Sequence, residues 1–172
     1  MHRLILVLLA PIVLALAAVA AETNGSAAPV AKPWTIALSS NRESRDAEIY
    51  SMWADGSRVR RLTRSPYFDG LATWSPNGKK IAFYSQRSPR GDVYVMNPDG
   101  SATRNLTRNL AHDSLGSWSP DGRRIAFDSD RDGGGIYVMN ADGSGQRLLV
   151  SQSGLDGNPQ WYTLSLHDAL PI

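Results

Sequence analysis

The sequence predicts an all-β fold: a β-propeller of four-stranded antiparallel blades, about three of them present as an incomplete ring. Three recurring markers carry that prediction. Trp74, Trp118 and Trp161 are spaced by 44 and 43 residues. Asp-Gly pairs at 55–56, 99–100 and 142–143 keep the same two intervals. A Ser-x-Arg triplet stands at Ser40–Arg42, Ser85–Arg87 and Ser129–Arg131. Independent markers that share one period identify a structural repeat.

The unit that opens at Trp118 shows what each repeat folds into. Ser119-Pro120-Asp121-Gly122 is a tight turn, because Pro presets φ at its first central position and Gly accepts the positive φ that ends it. The run RRIAFDS follows as a strand, with Ile125 and Phe127 on one face and the small Ala126 on the other. GIYVMN is the next strand, rich in β-branched and aromatic residues. Ala141-Asp142-Gly143-Ser144 makes a second tight turn. A short strand is expected around Arg147 to Val150, and another at Pro159-Gln160-Trp161 as the chain enters the next unit. Each period of about forty-three residues therefore holds four short strands.

One four-stranded sheet cannot bury both faces, but sheets stacked around an axis bury each face on a neighbour and leave few open edges. Ala82 and Ala126 allow close approach of neighbouring sheets, while Ile81, Phe83, Ile125 and Phe127 supply apolar area worth roughly 1.5–3 kcal/mol per fully buried side chain. A β-solenoid fits less well, since its coils are shorter and lack a hairpin turn in every unit. An open sandwich does not explain the repeat.

The phrases WSPDGRRIAF, IYVMNADGS and NLT resemble the TolB-type, WD-repeat-like propeller repeat of bacterial exported proteins. The resemblance covers residues 34 to 161. It implies six or seven blades in a complete ring, a periplasmic location and docking of proteins or peptides at the channel face. This sequence departs from the family in one respect: TolB carries an α/β domain before its propeller, and here a short linker stands in that place.

The N-terminus, MHRLILVLLAPIVLALAAVAAE, has a short basic start, an apolar run and a small-x-small end at Ala18-Val19-Ala20. That is the form of a signal peptide, residues 1–20, with cleavage after Ala20. The apolar run is also just long enough for an uncleaved anchor. Cleavage would leave no stable membrane insertion. The chain contains no cysteine, which excludes a lipoprotein anchor, disulfides and thiolate chemistry. Residues 21–33 read as a linker. At the other end, Trp161 should be followed by Ser-Pro-Asp-Gly. Residues 162–172, YTLSLHDALPI, instead match residue for residue the translation of a common sequencing-library adapter, so they are expected not to be native. His167 and Asp168 then carry no functional argument.

Charge is nearly balanced, with 18 basic and 16 acidic residues. That argues against nucleic acid as a partner. Arginine dominates the basic side, which reads as coding bias. Enzyme signatures are absent: there is no G-x-S-x-G elbow, no H-E-x-x-H and no phosphate loop. Outside the leader and the tail, His112 is the only histidine. No catalytic, cofactor-binding or metal-binding residue is assigned.

The binding candidates are His112 and the Asp that stands five residues before each repeated Trp: Asp69, Asp113 and Asp156. Equivalent residues gather at one mouth of a propeller channel. They form either a carboxylate ring for a cation or a basic partner group, or a structural Asp that satisfies backbone N–H groups. Repetition in every unit favours the structural role. Asp128, Asp130 and Asp132 followed by Gly133 resemble the start of a calcium loop, but Met139 stands where the bidentate Glu belongs, and a hairpin turn fits better. Arg58, Arg60 and Arg61 read as a solvated edge. Tyr50, Tyr94 and Tyr137 share one repeat position, as do Met52, Met96 and Met139, and both sets read as packing.

The function expected is an exported, periplasmic or secreted module that binds a protein or peptide, without catalysis or cofactor in these residues. The alternative is the gating propeller of a prolyl oligopeptidase-type serine peptidase, which a downstream nucleophile elbow followed by Asp and His would identify.

Overall fold

The computed structural model describes residues 34–151 and 157–162. The leader, the linker, Asp156 and the tail from residue 163 lie outside the described residues. Among the described residues, eleven strands make three antiparallel sheets. The first sheet has β1 (Thr35–Ser40), β2 (Glu48–Trp53) and β3 (Arg60–Arg61). The second has β4 (Asp69–Trp74), β5 (Ile81–Ser85), β6 (Asp92–Met96) and β7 (Arg104–Asn105). The third has β8 (Asp113–Trp118), β9 (Arg124–Ser129), β10 (Gly135–Asn140) and β11 (Arg147–Ser151). Within each sheet, consecutive strands are neighbours, so every connection is a hairpin. The arrangement is an open series of blades.

The Trp-bearing strand heads its sheet. The sequence repeat, which begins at Trp, is therefore offset by one strand from the structural blade. By repeat position β1 corresponds to β5 and β9, so the first sheet shows the last three strands of a blade. The expected strand at Pro159–Trp161 is not formed. Its ladder partner would be the second strand of another sheet, and the described residues hold none. The segment instead lies along β8, where Ser117 Oγ donates to the Pro159 carbonyl at 3.1 Å and accepts from Trp161 N at 2.8 Å.

Alternation along the strands gives each sheet two apolar faces. Ile81 and Phe83 face the first blade and pack with Ile49, Leu62 and Met96. Ala82 and Tyr84 face the third blade and join Leu115, Trp118, Ile125 and Phe127. A one-residue slip would exchange these two faces, so register is set by burial on both sides. Ladder pairing confirms it, with Phe83 opposite Tyr94 and Phe127 opposite Tyr137.

The Ser-Pro-x-Gly turns form as expected. Gly78 N donates to the Ser75 carbonyl and Gly122 N to that of Ser119, both at 2.8 Å. In one turn Ser119 Oγ donates to Asp121 Oδ1 at 2.6 Å; in the other Ser75 Oγ donates to Asn77 Oδ1 at 2.9 Å. Hydrogen bonds from Ser119 and Arg123 N hold the Asp121 carboxyl below its ordinary value. A lowered folded-state value gives stability that is present above about pH 4 and lost as pH falls through the folded value. Asn77 makes the same bonds without titrating. Asp121→Asn should therefore unfold at the wild-type urea concentration at pH 7 and lose less stability than wild type on acidification to pH 3. Equal acid losses in the two chains would refute this.

A candidate binding rim at the ends of the first strands

The Ser-x-Arg marker and the Asp before each Trp belong to one device. Arg131 Nη2 donates to both carboxylate oxygens of Asp113 at 3.0 Å. Arg87 Nη2 donates to Asp69 Oδ2 at 2.7 Å. Both carboxylates are fully buried. The arginines lie over the repeated tyrosines: Arg42 over Tyr50 at 5.1 Å, Arg87 over Tyr94 at 5.5 Å and Arg131 over Tyr137 at 4.9 Å. The triplet's serine helps to aim the guanidinium, with Arg131 Nε donating to Ser129 Oγ at 2.9 Å and Arg42 Nε to Ser40 Oγ at 3.1 Å. Each device thus ties a blade's first strand to its second hairpin. Burial raises the Asp69 carboxyl, and contacts from Ser85 and Arg87 pull it back. Asp156 lies outside the described residues.

Two further buried acids were missed in the sequence. Glu48 accepts from Thr63 Oγ1 at 2.6 Å, Arg61 Nη2 at 2.7 Å and Ser65 N at 2.8 Å. Asp92 accepts from Thr107 Oγ1 and Asn105 Nδ2, each at 2.7 Å. These bonds give the NLT phrase its role: Asn105 and Thr107 clasp the acid that opens β6. The third blade has Gly135 and Val150 at the equivalent positions, so acid and threonine are lost together. Both acids stand two residues before the repeated Tyr, and that spacing could have found them. Arg61 is accordingly a paired, half-buried group, and Arg60 reaches the next blade. Arg58 and Arg60 are exposed edge residues, Arg58 stacked at 4.3 Å on Trp53.

The residues that break the repeat collect at the same end of the blades. His112, which follows Phe68 in repeat position, is half-buried, with Nε2 3.3 Å from the Tyr84 hydroxyl. The two rings sit 5.5 Å apart. Asp130 Oδ1 accepts from His112 N at 2.8 Å, and its other oxygen accepts from Arg90 of the preceding blade at 2.8 Å. Asp128 occupies the position that Tyr84 holds one blade earlier. Its carboxyl is pushed up chiefly by burial, against the Asn158 N–H and the nearby His112. Leu110 projects into solvent beside this cluster.

The structure therefore brings His112 and Asp113 to one rim, with Asp113 committed to Arg131. The three aspartates of the calcium-like stretch go to different partners: Asp128 to Asn158, Asp130 to Arg90 and His112, and Asp132 to the Tyr137 hydroxyl at 3.4 Å. Arg131–Gly133 form a 3-10 turn that closes the β9–β10 hairpin. Among the described residues, no group of three or more His, Cys, Asp or Glu is placed to hold a metal ion.

A second concavity, about 460 Å³, opens between the first and second blades and is lined by Arg64, Ser65, Tyr67 and Arg87. Asp69 communicates with it through Arg87.

The family model described as the TolB beta propeller domain matches residues 73–163. The chain belongs to that family. Among solved structures, a TolB-type protein from Agrobacterium tumefaciens aligns at 24% identity with a TM-score of 0.61, over 66% of this chain and 44% of its own. TolB from Acinetobacter baumannii aligns at 21% identity and 0.59, over 71% of this chain and 32% of its own. A chain in a nidogen/laminin complex aligns at 18% identity and 0.54, over 66% and 43%. These likenesses establish the propeller fold. The TolB-like chain spans less than half the length of each. No curated protein matches it. Among the described residues, no helix is long and apolar enough to cross a membrane.

Proposed function

We propose that this TolB-like propeller is exported to the periplasm or beyond the cell and binds a protein or peptide at the rim around His112. The observation that carries the reading is the convergence of His112, Tyr84, Asp128 and the Arg90–Asp130 pair. His112, Asp128, Arg90 and Asp130 depart from the repeat and are at least partly exposed, so they can meet a partner, whereas Tyr84 belongs to the core between the second and third blades. The chemistry suits a peptide that brings a basic or hydroxyl donor to Asp128 and an apolar side chain to Leu110. The reading requires no cofactor, and the near-balanced charge does not favour nucleic acid. Its likeness to TolB and to a propeller in a nidogen/laminin complex supports a docking role. The three-part leader supports export.

A photo-crosslinking residue at Leu110, introduced in the producing cells, tests the site. The expected result is one discrete adduct that is lost in His112→Ala and Asp128→Ala. Equal labelling from Lys79, at the opposite blade end, would overturn the assignment. Export is tested by the mass of the mature chain, which should begin at Ala21. A chain that retains residues 1–20 would be anchored instead.

A further inference from the structure

The outer joint between neighbouring blades is closed differently at its two occurrences. Between the second and third blades the Asp142-Gly143 turn bears on Leu106, so that a Cβ on Gly143 would lie 2.8 Å from Leu106 O. The side chain of Gln146 seals the gap beside this contact. Its Nε2 donates to the Leu106 and Gly143 carbonyls, both at 3.0 Å, and its Oε1 accepts from Arg131 Nη1 at 2.8 Å. One carboxamide thus satisfies two carbonyls and a guanidinium nitrogen, because it carries a donor and an acceptor side by side.

Between the first and second blades the same frame stands without its amide. Thr103 holds the place of Gln146, since Arg104 is paired with Val95 as Arg147 is with Val138. The Asp99-Gly100 turn bears on Leu62, with a Cβ on Gly100 falling 2.4 Å from Leu62 O. The Thr103 hydroxyl donates to the Gly100 carbonyl at 3.3 Å and makes no bond to Arg87. Arg87 gives Nη2 to Asp69. Among the described residues, nothing bonds to its Nη1 or to the Leu62 carbonyl. Leu62, Arg87, Gly100 and Thr103 all line the concavity of about 460 Å³. Its walls come from two neighbouring blades that are both present, so the opening is internal to the series.

We propose that this concavity binds a primary carboxamide, the glutamine side chain of a peptide, in the position that Gln146 fills one blade on. The ligand's amide oxygen accepts from Arg87 Nη1, and its amide nitrogen donates to the Leu62 and Gly100 carbonyls. A carboxylate would satisfy Arg87 but set an oxygen against the two carbonyls. An ammonium would satisfy the carbonyls but face the guanidinium charge. The volume lies within the range of small-ligand sites, roughly 300–1,000 Å³, and so admits the peptide on either side of the amide. Pro66 and Tyr67, both exposed, give that peptide an apolar wall. The site shares no residue with the rim around His112 and is independent of that reading.

Titration of the full chain with acetyl-glutamine N-methylamide, followed by heteronuclear NMR, tests this. The expected result is a saturable shift of the Arg87 side-chain N–H and the Gly100 amide signals. The acetyl-glutamate counterpart should bind about tenfold more weakly, the worth of one well-made hydrogen bond. Thr103→Gln, at an exposed position, supplies the amide from the chain itself and should lose binding of the probe at least as far. Gln146→Thr should gain a second set of shifts, at Arg131 and Gly143. Circular dichroism confirms that each variant keeps the fold. A wild-type chain with no saturable shift overturns the proposal, because water then suffices in the gap. Equal affinity for the glutamate probe overturns it as well, as does a Thr103→Gln chain that binds like wild type or a folded Gln146→Thr chain that gains nothing.

Discussion

Replacing Arg131 by alanine is expected to cost about 3–5 kcal/mol of folding stability, because it leaves the buried Asp113 carboxylate uncompensated. Asp113 is fully buried, and Arg131 reaches both of its oxygens. Asn109 Nδ2 also donates to Asp113, but a neutral amide does not balance a buried charge. The variant further loses the bond from Arg131 to Gln146 at 2.8 Å and the guanidinium's place over Phe127 and Tyr137. Urea denaturation at pH 7 measures the cost. The double variant Arg131→Met with Asp113→Leu should lose markedly less than Arg131→Ala alone, since a buried pair replaced by apolar groups of similar size is often near neutral. A single-variant loss below about 1 kcal/mol, the range of an exposed ion pair, would show that the device is ornamental.

The second large effect is expected at Gly100. The residue sits at φ +85°, and its Cβ position falls 2.4 Å from the Leu62 carbonyl oxygen, which is backbone and cannot swing aside. Gly100→Ala combines left-handed strain with separation of two packed sheets and should cost about 3 kcal/mol. Gly56→Ala is the internal control: it has the same turn and a similar φ of +82°, with open space where the methyl goes. It should show only the conformational part, about 1 kcal/mol. The difference between the two melts reads the blade joint in isolation. Equal losses at both sites would mean that the joint contributes nothing and that the glycines serve their turns alone.

Much of this architecture was legible in the sequence because a repeat protein reports its core several times over. The alternation of Ile81, Ala82 and Phe83, the Ser-Pro-x-Gly turns and the Asp-Gly turns are local signals with period-2 or fixed-φ causes. They placed the propeller class and the strands of each period, apart from the one expected at Pro159–Trp161. The recurrence of Asp69 and Asp113 pointed to a shared structural task, and their ion pairs with Arg87 and Arg131 describe one.

Partnerships across loops were beyond that reading. The Ser-x-Arg triplet and the Asp before Trp were two separate markers in the chain, although Asp113 and Arg131 are one ion pair. Glu48 and Asp92 drew no notice, because their bonds from Thr63 and Thr107 cross from one strand to the next. Arg61 looked solvated because nothing local announces a carboxylate one strand away, while Arg60 is exposed and still reaches a carbonyl one blade away. The rim went unseen for a similar reason. Period analysis notices what recurs, whereas His112, Asp128 and Arg90 differ from blade to blade. Side-chain spacing along the chain thus determined the strands, turns and sheet class, since these depend on φ preference and alternation. Which charges meet, which glycines bear on a neighbouring carbonyl and which odd residues converge was decided only when the blades stacked, because those contacts join positions about forty residues apart.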